Sequence, residues 1–224
     1  MRTIAFVTQK GGSGKSTLAS CVAVAAHEAG ERVFVIDMDP LASLINWSKA
    51  RGEKDIAVEA VPPGKLKTVL AALEKKGVTL VVIDTPGADN VAMMAAVKAA
   101  DLCIVPARPN AFDLWASENT RKAVKAAGRD YAFLLNQCPP AQQSARVHLG
   151  VKTLETMGGM LSPLVSSRVD FQEAARQGWG VTEIAPSGSA ADEIRTLWSS
   201  IKRRLNKASA QRNVAAAGKA RKAA

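Results

Sequence analysis

Aromatic side chains are scarce in this chain. Tyrosine occurs once, and Phe, Trp and Tyr together make up 4% of the 224 residues. Alanine takes much of the apolar quota instead, which suits helices packed closely against a sheet. Cysteine is equally sparse. Cys21, Cys103 and Cys138 sit in three separate apolar segments, and no C-x-x-C pair exists. That excludes a disulfide framework or a thiolate metal site and leaves buried thiols in a reducing compartment. No apolar run approaches the ~18–20 residues of a membrane span. The first strand begins at once, so no signal peptide is expected. No Gly-, Ser- or Pro-rich linker divides residues 1–205, and no internal repeat is visible. With 47% hydrophobic residues, a single α/β domain with a full core is expected over 1–206.

The charge is uneven. The net value is +10, yet from Arg195 to Ala224 there are nine basic residues and no acidic one; taking those nine away leaves +1 for the body. Such asymmetry suits a polyanionic partner, nucleic acid or anionic membrane, or else a solubilising tail. Residues 207–224 form a basic Ala/Lys-rich tail whose last 17 residues have Val214 as the one sizeable apolar side chain. Disorder, or a helix formed on a partner, is expected there.

Strand-like and helical runs alternate along the chain. Strands are expected at 2–8, 32–37, 56–61, 78–84, 101–106, 131–136 and 161–166. Helices are expected near 15–29, 41–50, 64–76, 89–100, 112–127, 143–157, 170–177 and 188–206. Alternation of this kind predicts a mostly parallel, twisted sheet with right-handed crossovers and helices on both faces. The continuous apolar runs 33–36 and 80–83 fit strands covered on both sides. Ligands of such sheets bind beyond the carboxyl ends of the strands.

Between the first strand and first helix stands Lys10-Gly11-Gly12-Ser13-Gly14-Lys15-Ser16-Thr17. A glycine-rich strand-to-helix turn cradles phosphates with inward backbone N–H groups and a helix N-terminus. Lys15 adds a mobile charge, and the Ser16 hydroxyl is placed for Mg2+. The usual first glycine of a P-loop falls on Gln9, and a second lysine, Lys10, opens the loop instead. Two strand ends are acidic: Asp37-Met38-Asp39-Pro40 and Asp84-Thr85-Pro86-Gly87. Asp84 reads as the carboxylate that holds the waters of a nucleotide-bound metal. Strand-end aspartates also cap helices. Asp84 to Gly87 satisfies the D-x-x-G pattern of GTPases, but residues 136–139 read Asn-Gln-Cys-Pro, without the aspartate that pairs with guanine. ATP is therefore favoured. Asn136 stands where a base contact is placed in this fold, or it satisfies local backbone.

The K-G-G-x-G-K-[ST] loop resembles the deviant Walker A motif of the ParA/MinD ATPases. The likeness extends over roughly 1–206, with the C-terminal half matched mainly by pattern: Val165 to Gly178, Thr182 to Pro186 and the closing helix around Ala190 to Leu197 resemble small partition members. The resemblance implies a cytoplasmic, nucleoid-associated ATPase that uses ATP and Mg2+. Lys10 would reach a partner subunit's nucleotide, making an ATP-dependent homodimer. Lys15 and Asp39 would be catalytic, with Asp39 orienting the attacking water, and Asp37 would join Asp84 and Ser16 around the metal. The family usually continues Asp-Pro with glutamine, where this chain has Leu41. Trp47 is expected in core or interface. Non-specific DNA binding would fall to Arg168, Lys202, Arg203 and Arg204, the last three also suiting an ordinary helix end. A loop that starts at residue 10 leaves no room for an N-terminal helix-turn-helix, so a ParB-like adaptor is expected to read the cargo: plasmid, chromosome or another large body. A MinD-like membrane-cycling regulator is the alternative; it needs a bulky amphipathic C-terminal helix. A P-loop small-molecule ligase is a third reading. A nitrogenase-iron-protein-like role is disfavoured because Cys103 and Cys138 are not placed for a bridging cluster.

Overall fold

The computed structural model describes residues 1–88, 90–140 and 144–223, with side chains to Lys207. Six strands form one wholly parallel sheet: β1 (Arg2–Phe6), β2 (Val33–Asp37), β3 (Ala57–Ala60), β4 (Leu80–Asp84), β5 (Leu102–Ala107) and β6 (Tyr131–Leu135), in the spatial order β3-β2-β4-β1-β5-β6. The connecting helices are α1 (Lys15–Glu28), α2 (Ser43–Arg51), α3 (Leu66–Lys75), α4 (Val91–Ala99), α5 (Ala111–Ala126) and α6 (Ala145–Met157), followed by α7 (Asp170–Gln177), α8 (Val181–Ile184) and α9 (Ser189–Ala223). A single 3-10 turn at Pro63–Lys65 leads into α3.

Alternate residues of the central strands feed two separate cores, because successive strand side chains point to opposite faces. Ile4, Phe6, Val35, Val82, Ile104 and Leu134 pack under α1, α7 and α9. Ala5, Ile36, Ile83, Val105 and Leu135 pack under α3 to α6. All three cysteines are buried and free. Trp47 is buried in the first core, and its indole N–H donates to the Trp179 carbonyl at 3.1 Å.

One expectation needs correction. The strand expected at 161–166 is absent; in its place stand isolated bridges, Met160 with Phe133 and Ser166 with Cys138. Pro163 lies between them and has no N–H to donate to a ladder. The backbone of α9 runs as helix to Ala223, in keeping with the strong helix propensity of alanine, lysine and arginine.

Arg51 ties α2 to the rest of the fold. Its buried guanidinium donates to Asp55 (2.7 and 2.8 Å), to Glu183 (2.7 and 2.9 Å) and to the Gly178 carbonyl (3.1 Å). These partners lie between α2 and β3, at the end of α7 and in α8, and α2 itself follows the loop containing Asp39. Arg51→Ala strands two carboxylates that are themselves partly exposed. It is expected to cost about 2–3 kcal/mol, read as a lowered urea midpoint with an unchanged slope.

Candidate nucleotide site

The chemistry-bearing positions from Lys10 to Asn136 fall at the carboxyl ends of the strands. The Lys10–Thr17 loop follows β1, Asp37 ends β2, Asp84 ends β4, Arg108 follows β5 and Asn136 follows β6. The central pairing of β1 with β4 brings Phe6 opposite Asp84, and Asp37 lies opposite Asp84 across β2 and β4. Two acidic strand ends and the loop are therefore brought together by register alone.

The loop is shaped by what holds its carbonyls. The Lys15 ammonium lies 3.4 Å from the Lys10 carbonyl. The Gln137 side-chain amide donates to the Gly12 carbonyl at 3.1 Å. The Asn136 amide donates to the Ser13 carbonyl at 2.8 Å. With carbonyls held from outside, the loop's N–H groups are left for an anion. Gly14 begins α1 at φ +90°, and a methyl group there would fall 2.4 Å from the Asn136 amide nitrogen. Gly87 packs just as closely: a methyl group on it would stand 2.9 Å from the backbone of Gly11. The Asp-Thr-Pro-Gly turn thus supports the loop from beneath, and Thr85 anchors the turn by donating to the Phe6 carbonyl at 2.8 Å.

Asp84 is fully buried. One carboxylate oxygen accepts from the Ser16 hydroxyl at 2.5 Å, and the other has no partner among the described residues. Burial pushes its pKa up to about 7, opposed by Ser16 and the Lys15 ammonium and helped by Asp37. Burial likewise lowers the Lys15 pKa, opposed by Asp84 and Asp39. An unpartnered buried carboxylate oxygen beside a hydroxyl that retains lone pairs fits a hydrated Mg2+ carried in with phosphates. Among the described residues no group of three or more His, Cys, Asp or Glu forms a metal cage. A nucleotide-borne magnesium needs none, because phosphates and waters supply most of its ligands. Ser16 would hold it and Asp84 its waters.

Asp37 behaves differently. Its oxygens accept from the backbone N–H groups of Asp39 (3.0 Å), Leu44 (2.9 Å) and Ile45 (3.1 Å). It caps the start of α2 and shapes the turn that presents Asp39. Asp39 is half-buried, accepts from the Leu41 N–H at 3.0 Å, and lines a cleft of about 910 Å³ with Gly11, Gly12, Gly14, Lys15, Ser16 and Thr17. A second cleft of about 320 Å³ runs from Gly14 and Thr17 to Asn136, Phe171 and Arg168.

Lys10 points elsewhere. Its ammonium lies 5.4 Å from the centre of the Phe112 ring, at the start of α5, and Lys10 lines neither cleft. Phe112 and Trp115 meet edge to face and are 67% and 65% exposed.

The four basic candidates do not form one patch. Arg168 sits beside the second cleft and donates to Glu193 at 3.0 Å. Lys202 pairs with Glu31 (3.5 Å), which precedes β2, and Arg204 with Asp130 (2.9 Å), which precedes β6. Both lie at the amino ends of the strands, opposite the loop. Arg203 is exposed and has no ion pair among the described residues. Gln137, Arg108 and the packing role of Gly87 were not anticipated. The signal for Arg108 was its place directly after an apolar strand, as with Asp37, Asp84 and Asn136.

A parallel sheet with a phosphate loop after its first strand and a buried carboxylate on the adjacent strand end defines a P-loop nucleoside-triphosphatase domain. The profile of the CobQ/CobB/MinD/ParA nucleotide-binding domain matches residues 4–214, and the chain belongs to that ATPase family, whose ligands are ATP and Mg2+. It is 28% identical over 210 residues to the maintenance of carboxysome distribution protein A of Halothiobacillus neapolitanus, covering 87% of this chain and 94% of the relative. The protein of the same name from Gloeobacter kilaueensis is 36% identical over 141 residues, covering 62% of this chain and 64% of that protein's length. The crystal structure of the cell division ATPase MinD of Pyrococcus furiosus superposes with a TM-score of 0.71 at 20% identity, covering 90% and 98% of the two chains; this likeness concerns the fold.

Asn136→Ala removes a buried hydrogen bond to the loop. ATP affinity is expected to fall about tenfold, on a loss of about 1.4 kcal/mol. If the side chain serves the loop, ATP and GTP affinities fall in parallel; a change confined to ATP indicates a base contact. Binding of fluorescent ATP and GTP analogues checks this.

Proposed function

We propose that this chain is an ATP-switched, dimerising ATPase that positions a large cargo on nucleoid DNA. The observation that carries the reading is the divergence of the two loop lysines. Lys15 turns into the loop, within the field of Asp84 and Asp39. Lys10 lies outside, on an exposed aromatic surface. A cation held off its own phosphates suits the nucleotide of a second copy. Charge supplied in trans ties hydrolysis to assembly, as an arginine finger does, with effects of ~10³–10⁵ in rate. In this reading Lys15 and Gly11 to Thr17 bind the triphosphate, Ser16 and Asp84 serve the metal, and Asp39 orients the attacking water. Asp37 acts through the turn it caps.

DNA contact is assigned to the α9 side of the molecule. Arg203 and Lys207 are exposed there, and the sequence adds Arg212, Lys219, Arg221 and Lys222. The ion pairs of Arg168, Lys202 and Arg204 reduce what those three offer to phosphate. A ParB-like or equivalent adaptor would select the cargo. Relatives named for carboxysome distribution add carboxysomes to plasmid and chromosome as candidate cargo. A membrane-cycling role has less support. None of the described helices is long and apolar enough to cross a membrane, and Val214 is the one sizeable apolar residue after Lys207.

Light scattering with a slowly hydrolysed ATP analogue and magnesium is expected to show dimers for the native chain and lone subunits for Lys10→Ala. A DNA shift assay is expected to show binding with ATP and little with ADP or without nucleotide. The logarithm of the binding constant should fall linearly with log salt, with a slope of about −0.9 per phosphate contact. Equal DNA binding in all three nucleotide states removes the switch from the proposal.

A further inference from the structure

Arg108 is held in a fixed position beside the phosphate loop. Its Nε donates to one oxygen of Asp113 at 2.9 Å, its Nη2 to the other at 3.0 Å, and its backbone N–H to the first at 3.1 Å. The Asp113 side chain is 1% exposed. Its backbone N–H is capped by the Asn110 side chain at 3.0 Å, which fixes the first turn of α5. A bidentate fork on a buried carboxylate fixes the guanidinium plane.

The remaining nitrogen, Nη1, has no hydrogen bond to the described residues. It is the atom nearest to where a methyl group on Gly12 would lie, at 3.6 Å. Arg108 thus rests on the phosphate loop. It lines neither of the two clefts described above, and its side chain is 32% exposed. Two neighbouring residues of one helical turn therefore carry two outward cations: Phe112 bears Lys10 and Asp113 bears Arg108.

We propose that Arg108 is a catalytic residue acting in trans: its guanidinium, held by Asp113 against the outer side of the loop, meets the phosphates of a second copy of this chain beside Lys10. The inference rests on the dimer reading given above. Lys10 supplies a movable point charge, and Arg108 a fixed fork matched to phosphate oxygens. Developing charge on the transferred phosphoryl group is stabilised best by donors already in place. Asp113 is the positioning residue that keeps Arg108 there.

Arg108→Ala is expected to lower kcat at saturating ATP by on the order of 10²-fold, with a smaller change in KM. Arg108→Lys should recover only part, because an ammonium lacks the fork. An unchanged kcat in Arg108→Ala overturns the proposal. The decisive step mixes full-length Arg108→Ala with full-length Asp39→Ala. In the mixed dimer, the subunit that keeps Asp39 faces a partner that keeps Arg108. Activity above the sum of the separate variants is expected. A parallel mixture of Lys10→Ala with Asp39→Ala tests the underlying dimer reading. Recovery with Lys10→Ala but not with Arg108→Ala overturns the role of Arg108 alone. Recovery in neither, with only lone subunits by scattering, overturns both. If Arg108→Ala does not fold, judged by its urea midpoint, Arg108→Lys replaces it in the mixture with the same expected outcomes.

Discussion

The buried carboxyl of Asp84 is the constraint around which this molecule is organised. A carboxylate with no exposure is costly unless charge or hydrogen bonds meet it. Here one oxygen has the Ser16 hydroxyl and the other has no partner among the described residues. The Lys15 ammonium lies within its field, itself partly desolvated. Each group is poorly solvated alone and better matched with a metal and polyphosphate present. The neighbouring architecture keeps that geometry. β1 and β4 are adjacent at the centre of the sheet, Thr85 is tied to β1, and Gly87 lets the following turn lie against the loop.

Positive charge near the loop is sorted into two populations. Lys15 faces inward toward two carboxylates. Lys10 and Arg108 face outward, each held by one residue at the start of α5. The holding chemistry differs in kind. An aromatic face attracts an ammonium weakly and lets it leave. A buried carboxylate grips the guanidinium at two points and the backbone N–H of the same residue at a third. The outer surface of the loop thus offers one cation that can move and one that is fixed.

Much of this was legible in the sequence. The six strands, all the helices but α8, and the placement of the loop and acidic positions at strand ends follow from unbroken apolar runs separated by helical periodicity. Those signals are local. What escaped depends on partners far apart in sequence or on a single missing donor. The apolar run at 161–166 looks like a strand, but Pro163 breaks its ladder into isolated bridges. Lys202 and Arg204 read as free basic residues because Glu31 and Asp130, which pair with them, lie in distant segments. Asp37 illustrates two legitimate readings of one pattern: a strand-end carboxylate beside a metal site, and a helix cap. It visibly performs the second, with Asp84 as its neighbour. Asn136 similarly spends its amide on the loop. Arg108 carried the same positional signal as the aspartates, yet an arginine after a strand belongs to no familiar nucleotide motif.

α1 begins at the phosphate loop and runs the depth of the sheet. Its 14 residues span about 21 Å at 1.5 Å each. It packs along α9, and just past its far end the buried Glu31 binds Arg2, Thr79 and Lys202. A single stiff rod therefore joins the γ-phosphate end of the domain to the cationic end. In the function proposed above, a tilt of α1 at Lys15 would carry the Glu31–Lys202 contact with it, so the loop and the basic end of α9 would move together.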